Sequence, residues 1–304
     1  MRISNAQMNA QMQMNLTRNN EALNKLSMQI ATGDRLQRPS DDPVASVRLL
    51  RIQREEASLT QFGKNIANVV GALSMQETNL TSLSEAMMSV NDLVLLASNG
   101  LHSREDLAGI ARQLESLEQS MLGYINSKDE EGNYLFSGTQ NRSPALILDP
   151  RTDRYVLGGN DSVRRTPVAN GVEVASNVTA EHFLGAGADL VNDLRALVNS
   201  LQSPTLDPAD PAFKAQLSGM LTQFNQTHHL VLASVTDIGG WQNTLTLLNE
   251  TNLDLSLAHK KAESDLSNLD YAEATMKLNS YQISIQASQK TYLKIHDLSL
   301  FSVL

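Results

Sequence analysis

The chain has 304 residues, a length typical of about two domains at roughly 150 residues each. Its 24 Lys and Arg residues are outnumbered by 33 Asp and Glu residues, which gives a net charge of −9. Together with an aromatic content of 4%, this charge argues against nucleic acid as a partner. The absence of cysteine excludes disulfides, thiolate metal sites and a cysteine nucleophile.

The sequence gives no sign of a membrane span or of a secretory signal. It contains no run of about 18 apolar residues, the minimum for a membrane-spanning helix. The segment from Met1 to Thr17 is rich in Asn, Gln and Met, and Arg2 is its only charged residue. A secretory signal instead has a continuous apolar stretch after a basic start. We therefore expect no membrane partner, and export from the cell would require another route.

Two long segments without proline predict long helices. None of the 8 prolines falls in 44–143 or 212–304, and proline is excluded from helix interiors because it lacks an N–H and its ring clashes with the preceding turn. In the first segment, apolar residues recur at every seventh position, as they do in packed helices: Ile66, Leu73, Leu80, Met87 and Val94. We predict helices over 43–98 and 104–127 that fold back on each other, with a turn at Ser98-Asn99-Gly100.

The predicted first helix indicates an elongated molecule. A continuous helix over 43–98 would be about 84 Å long at ~1.5 Å per residue. A compact globule of this chain length has a radius of gyration of only about 19 Å. We therefore expect a rod of long antiparallel helices.

The C-terminal segment carries the same seven-residue repeat. It runs through Leu217, Phe224, Val231, Ile238 and Leu245, and it continues in frame through Ala262, Leu269, Met276 and Ile283. Gly239-Gly240 lies inside this helix, and the sequence leaves open whether the pair breaks it. A thinner apolar stripe lies near the N-terminus.

The two terminal stripes are candidates for an assembly seam. The candidate residues are Met12, Leu16, Leu23, Leu26, Ile30, Leu269, Met276, Ile283 and Ala287. Such stripes fit either the core of a helical bundle or a seam between subunits, and both alternatives remain open. We expect Leu23, Leu26 and Ile30 to pack against Met276, Ile283 and Ala287 only once neighbouring subunits surround them.

The middle of the chain predicts a small β-rich insert. Residues 145–148 and 154–157 are apolar runs on either side of a turn sequence, and Val172-Glu173-Val174 follows Asn170-Gly171. A helix resumes near Ala188. We therefore predict a mainly α chain with three parts, which are a terminal coiled-coil domain (1–40 and 262–304), a helical rod domain (41–140 and 188–261) and the insert domain (141–187).

Four motifs carry a resemblance to a known family. Ser40, Asp41, Asp42 and Pro43 form a helix start, because Ser and Asp cap free N–H groups and Pro suits the first turn. With the preceding segment Ala31–Leu36, this start resembles the N-terminal signature of the bacterial flagellin family in its hook-associated branch. Three further segments are similar to that branch: Gly132–Gly138, the pair Asp270–Ala274 and Gln286–Ser288, and Leu298–Phe301.

The resemblance implies a structural role in the bacterial flagellum. Members of this family pair their terminal helices as a coiled coil that lines the axial tube, and they are exported unfolded by the flagellar type III apparatus. The implied function is a junction ring between hook and filament that supports filament growth. The implied partners are further copies of the chain, another hook-associated protein on the hook side, flagellin on the filament side, and a cytoplasmic export chaperone at the C-terminal region. The implied location is outside the cell, at the hook–filament junction.

Catalysis is not expected from the sequence. The six histidines show no metal-binding spacing, and there is no nucleophile elbow, phosphate loop or dinucleotide fingerprint. We predict no catalytic, cofactor or metal site, and helix capping accounts for Asp41-Asp42. Two alternatives to the junction role remain, which are a filament flagellin and a coiled-coil signalling module. The second requires uninterrupted helices, and the predicted insert argues against it.

Overall fold

The computed structural model describes residues 2–99, 103–208 and 210–301, and the described part is mainly α-helical, as predicted. Its helices are α1 (Arg2–Thr32), α2 (Pro43–Ser98), α3 (Arg104–Ile125), α4 (Ala180–Leu184), α5 (Asp189–Gln202), α6 (Pro211–Ser267) and α7 (Tyr271–Phe301). Its strands are β1 (Leu146–Asp149), β2 (Arg154–Leu157), β3 (Arg165–Ala169) and β4 (Val172–Ala175).

The internal contacts divide the chain into two units. The first consists of Met1–Ser58 and Asp254–Leu304, and the second is Leu59–Leu253. No helix of the described residues is long and apolar enough to span a membrane. Two parts of the sequence interpretation, Gly100 in the turn after α2 and the side chains of the Leu298–Phe301 segment, lie outside the described residues.

The long helices largely follow the predicted bounds. Helix α2 begins and ends at the predicted residues, and α3 ends two residues before the prediction. Gly239-Gly240 does not interrupt α6. The continuous C-terminal frame is wrong, because α6 ends at Ser267 and α7 begins at Tyr271. Asp270 caps the new helix, since its Oδ1 accepts hydrogen bonds from the N–H groups of Ala272 (2.9 Å) and Glu273 (3.1 Å).

The seven-residue stripes of the second unit form its own core. On α2, Leu73, Leu80 and Met87 have no exposed surface. On α6, Val231 and Leu245 are equally buried. Burying a side chain of this size stabilises the fold by roughly 1.5–3 kcal/mol. In this unit, the stripes therefore belong to the monomer.

The insert consists of two antiparallel hairpins. β1 pairs with β2, with Leu146 opposite Leu157 and a turn at the predicted residues 150–153. β4 covers the predicted Val172–Val174 segment, and it pairs with β3. Strand β3 was not predicted, because Pro167 lies inside it and proline is tolerated only on an edge or at an irregularity. The short helix α4 was not predicted either.

Buried polar side chains fasten the insert to the helices. Gln76 of α2 has no exposed surface, and its Oε1 accepts a hydrogen bond from the N–H of Val178 (2.7 Å). The side chain of Glu118 on α3 is 4% exposed, and its Oε1 accepts hydrogen bonds from the Tyr155 hydroxyl (2.7 Å) and from Nη1 of Arg195 (3.1 Å). Burial, followed by the nearby Glu118 carboxylate, raises the pKa of Tyr155 to about 12. The Tyr155 hydroxyl therefore keeps its proton at neutral pH and remains a hydrogen-bond donor.

We predict that Arg195→Met destabilises the second unit, because it leaves the Glu118 carboxylate buried without its cation. The expected loss is about 3 kcal/mol, the lower end for a broken buried ion pair, since Arg195 is partly exposed. Urea unfolding measures it. The double variant Arg195→Met with Glu118→Gln should recover most of the loss, and equal losses in both variants would contradict this account.

Candidate assembly site

Helix α1 presents one apolar stripe to α7. The side chain of Leu26 is buried, at 6% exposure, and those of Met12, Leu16, Leu23 and Ile30 are half-buried. All five residues were predicted as seam residues, and the structure places them on one face. Leu26 is already covered within the single chain, so the expectation that only neighbouring subunits cover this stripe is wrong for that residue.

The stripe of α7 that faces α1 differs from the predicted stripe. Ala274 is buried and Leu278, Tyr281 and Ile285 are half-buried, at alternating spacings of four and three. The predicted partners lie on another side of the helix, where Met276 and Ile283 are each 66% exposed and Ala287 is also exposed. The helix break explains the difference, because it ends the frame that ran through Leu269.

A polar contact lies between the two terminal helices. The side-chain amide of Asn19 donates a hydrogen bond to the hydroxyl of Ser284 (3.1 Å). Asn19 lies on the same face as Leu16 and Leu23.

The alternating stripe on α7 could have been found by counting both seven-residue frames rather than the one that continues α6. The sequence contained that signal.

The two helices are joined at what we call the terminal clamp, which consists of residues 33–35 and 266–269. Leu269 donates its backbone N–H to the carbonyl of Gly33 (2.9 Å), and Arg35 donates its N–H to the carbonyl of Ser267 (2.7 Å). Nη2 of Arg35 also donates to the carbonyl of Leu266 (3.0 Å). The clamp therefore fixes where α1 ends and where α7 begins.

Gly33 is needed at the clamp for its backbone conformation. It has φ of +81°, a left-handed value that L-residues rarely adopt. A Cβ at this position would lie 3.2 Å from the hydroxyl of Tyr271. Both the backbone and the space around it therefore favour glycine.

The predicted helix-start motif lies next to the clamp, where Nη1 of Arg35 donates a hydrogen bond to Oδ2 of Asp42 (3.3 Å). Pro43 is the first residue of α2, and Oδ1 of Asp42 accepts a hydrogen bond from the N–H of Ala45 (3.0 Å). Asp41 instead caps the preceding turn, where its Oδ2 accepts hydrogen bonds from the N–H groups of Gln37 and Arg38. Its Oδ1 accepts a hydrogen bond from Nζ of Lys25 on α1 (2.6 Å). Ser40 is exposed.

These hydrogen bonds keep both motif carboxylates ionised. The hydrogen bond from Lys25 is the main cause that holds the pKa of Asp41 below its ordinary value of 3.8. The N–H of Ala45 has the same effect on the pKa of Asp42, with a further contribution from Arg35. Among the described residues, no group of three or more His, Asp or Glu side chains is arranged to hold a metal ion. The site offers apolar faces and charge-assisted hydrogen bonds, which are the elements of a packing surface.

A mainly helical chain whose ends pair, with apolar side chains left exposed and no metal cluster among the described residues, has the features of a structural protein. The model of the bacterial flagellin N-terminal helical region matches residues 3–141. A solved structure of a flagellar hook-associated protein from Vibrio parahaemolyticus is 36% identical and is similar over 75% of this chain and all of that chain, with a TM-score of 0.68. This chain belongs to the bacterial flagellin family, in its hook-associated branch.

One further sequence relative agrees with this assignment, and a further solved structure shares the fold. Flagellar hook-associated protein 3 of Salmonella typhimurium is 25% identical over 100% of this chain and 99% of its own length. The crystal structure of flagellar hook-associated protein-3 from Legionella pneumophila shares the fold with a TM-score of 0.63, over 71% of this chain and 99% of that chain, at 16% identity.

We predict that Gly33→Ala weakens the terminal clamp by about 1–2 kcal/mol, the cost of a left-handed backbone for a residue with a Cβ. Hydrogen exchange of the α1 amides measures the change. Gly63→Ala is the matched control. Gly63 lies within α2 with open space around it, so alanine there should stabilise by about 0.5–1 kcal/mol. Equal effects at both positions would contradict the role of Gly33.

We also predict that acid releases the clamp. Because the folded-state pKa values of Asp41 and Asp42 lie below 3.8, their stabilising contribution is complete above about pH 5 and is lost as the pH falls through the folded-state values. The protection factors of the α1 amides, which correct for the intrinsic pH dependence of exchange, should therefore fall at low pH before those of α2 around Leu80 do. The variant Asp42→Asn should show a shallower pH dependence, and an unchanged dependence would refute the assignment.

Proposed function

We propose that this chain is a structural subunit of the bacterial flagellum that forms a ring of like subunits between hook and filament and supports filament growth. The observation that carries the proposal is the exposed face of α7, on which Met276 and Ile283 are each 66% exposed and Ala287 is also exposed. Large apolar side chains exposed on one helix face of a folded chain mark an interaction site. The similarity to hook-associated proteins supports the flagellum as its location.

In this proposal, the predicted seam residues have two tasks. Met12, Leu16, Leu23, Leu26, Ile30 and Leu269 hold the α1–α7 pair together within one subunit. Met276, Ile283 and Ala287 instead contact neighbouring subunits. Each large side chain buried there would contribute roughly 1.5–3 kcal/mol per contact. Repetition around a ring multiplies this contribution, and the ring therefore stabilises itself.

The proposal includes three domains and several partners. Residues 1–40 and 262–304 form the terminal coiled-coil domain, residues 41–140 and 188–261 the helical rod domain, and residues 141–187 the insert domain. Another hook-associated protein binds on the hook side and flagellin on the filament side. A cytoplasmic chaperone covers the C-terminal region before type III export, because an exposed apolar helix such as α7 would otherwise promote aggregation.

Electron microscopy of cells that lack the gene tests the proposal. We expect hooks without filaments and flagellin released into the medium, and we expect the full-length gene to restore filaments. Normal filaments in the deletion strain would overturn the junction role. Long filaments formed by the purified chain alone would instead identify it as a flagellin.

We predict that Ile283→Asp abolishes filament attachment without changing the melting temperature of the monomer, since Ile283 is exposed in the single chain. Leu278→Asp is the matched control on the same helix. Leu278 is half-buried against the α1 side, so an aspartate there should loosen the isolated chain. Thermal melts and a swimming assay compare the two. Normal swimming with Ile283→Asp would exclude this face from assembly.

A further inference from the structure

Two exposed patches outside the terminal pair combine apolar and charged side chains. On α2, Val44, Val47 and Leu50 are 79%, 68% and 54% exposed, more than the other exposed large apolar residues of that helix. Arg51 and Arg54 lie on the same face and are exposed. Val44, Val47, Arg51 and Arg54 follow the spacing of one helix face. We call this surface the basic patch.

The second surface lies on α6, and we call it the acidic patch. It consists of Glu250, Leu253, Asp254 and Leu257, which follow one another at positions i, i+3, i+4 and i+7 and therefore share one face of the helix. Leu253 is 61% exposed and Leu257 is 69% exposed. Glu250 and Asp254 are also exposed. Lys261 lies one further step along the same face.

The two patches do not cover each other within one chain. The side chain of Gln53 forms a hydrogen bond with Glu263, and the side chain of Ser256 forms one with Glu56. These two contacts set the antiparallel register of α2 and α6. In this register Leu257 lies beside residues near 57 of α2. Val47 is therefore displaced from it by about ten residues, or ~15 Å along the helix. Both patches remain available to another molecule.

We propose that the basic patch of one subunit binds the acidic patch of a second copy of this chain. Neither patch is suited to a symmetric contact with the same patch of a second copy. Such a contact would place arginine against arginine or carboxylate against carboxylate, and like charges in contact cost several kcal/mol. The two different patches are complementary both in charge and in apolar surface. A contact between two different surfaces of identical subunits is heterologous, and such contacts generate rings or helices rather than closed dimers.

This inference rests on the proposed ring and identifies its contact outside the terminal helices. The ion pair between Arg51 and Glu55 does not prevent Arg51 from binding a second molecule, since an exposed ion pair of this kind contributes little free energy in water. Arg51 can exchange Glu55 for a carboxylate of the neighbour at small cost. The interface would be sensitive to salt at its rim and held by the five leucine and valine side chains at its centre.

Disulfide crosslinking tests the contact in assembled flagella. The chain has no cysteine, so Val47→Cys with Leu257→Cys introduces a single pair. Within one chain the two sites are too far apart for a disulfide, which requires Cα atoms within about 7 Å. Oxidation of flagella isolated from cells that express the full-length variant should give a ladder of multimers. Met88→Cys with Leu257→Cys is the control, because Met88 is exposed elsewhere on α2, and it should stay monomeric.

The outcomes separate this interface from the proposed function. Monomer alone from the Val47/Leu257 pair, with the protein present in the isolated flagella, would overturn the interface and leave the ring proposal standing. Dimers from Val47→Cys alone would also overturn it, because they indicate a symmetric contact. Absence of the unmodified protein from isolated flagella would overturn the proposed function and this inference with it.

Charge exchange provides a second test. Arg51→Glu with Arg54→Glu, or Glu250→Lys with Asp254→Lys, should each lower the number of filament-bearing cells about tenfold or more, since each places like charges in contact. The four substitutions together should restore it to within about twofold of the unmodified strain. Circular dichroism should show unchanged helix content in all variants. No rescue by the combined variant would refute the pairing.

Discussion

Two backbone hydrogen bonds, from Leu269 to Gly33 and from Arg35 to Ser267, hold together segments more than 230 residues apart in the sequence. Because α1 ends at one side of this clamp and α7 begins at the other, the two terminal helices start next to each other and pair along one face. The requirement for a left-handed residue at position 33 and for a helix break after Ser267 follows from the same contact. The terminal pair and its exposed face therefore depend on a short irregular bridge rather than on helix propensity.

The sequence predicted the parts of the fold whose signals are local. Helix α2 has a capped start, a proline-free interior and a strict seven-residue stripe, and the β1–β2 hairpin has a clear turn sequence. The break before Asp270 was missed because Leu269 fits the preceding repeat, so the pattern alone continues through it. The α1-facing side of α7 was missed because this helix carries two apolar repeats, and periodicity cannot decide which one a neighbour covers.

Two buried polar residues of the long helices determine where the insert is attached. Gln76 stands at a core position of α2, where an apolar residue would pack better, and it binds the backbone of the insert instead. Glu118 of α3 holds the insert through the side-chain hydroxyl of Tyr155. A buried hydrogen bond of this kind is lost if the insert shifts, and the loss of a buried partner is costly. These two residues thus fix where the insert sits on the helices, which a purely apolar core would leave less defined.

The pairing of α1 with α7 also determines the order in which the chain can fold. Asn19 and Ser284 are 265 residues apart in the sequence, and synthesis begins at the N-terminus. Helix α1 can form within about a microsecond, but its partner does not exist until the chain is almost complete. Closing so long a loop is also slow compared with helix formation. The contacts between the two terminal helices can therefore form only once almost the whole chain is present, and truncation near the C-terminus leaves the first helix without a partner.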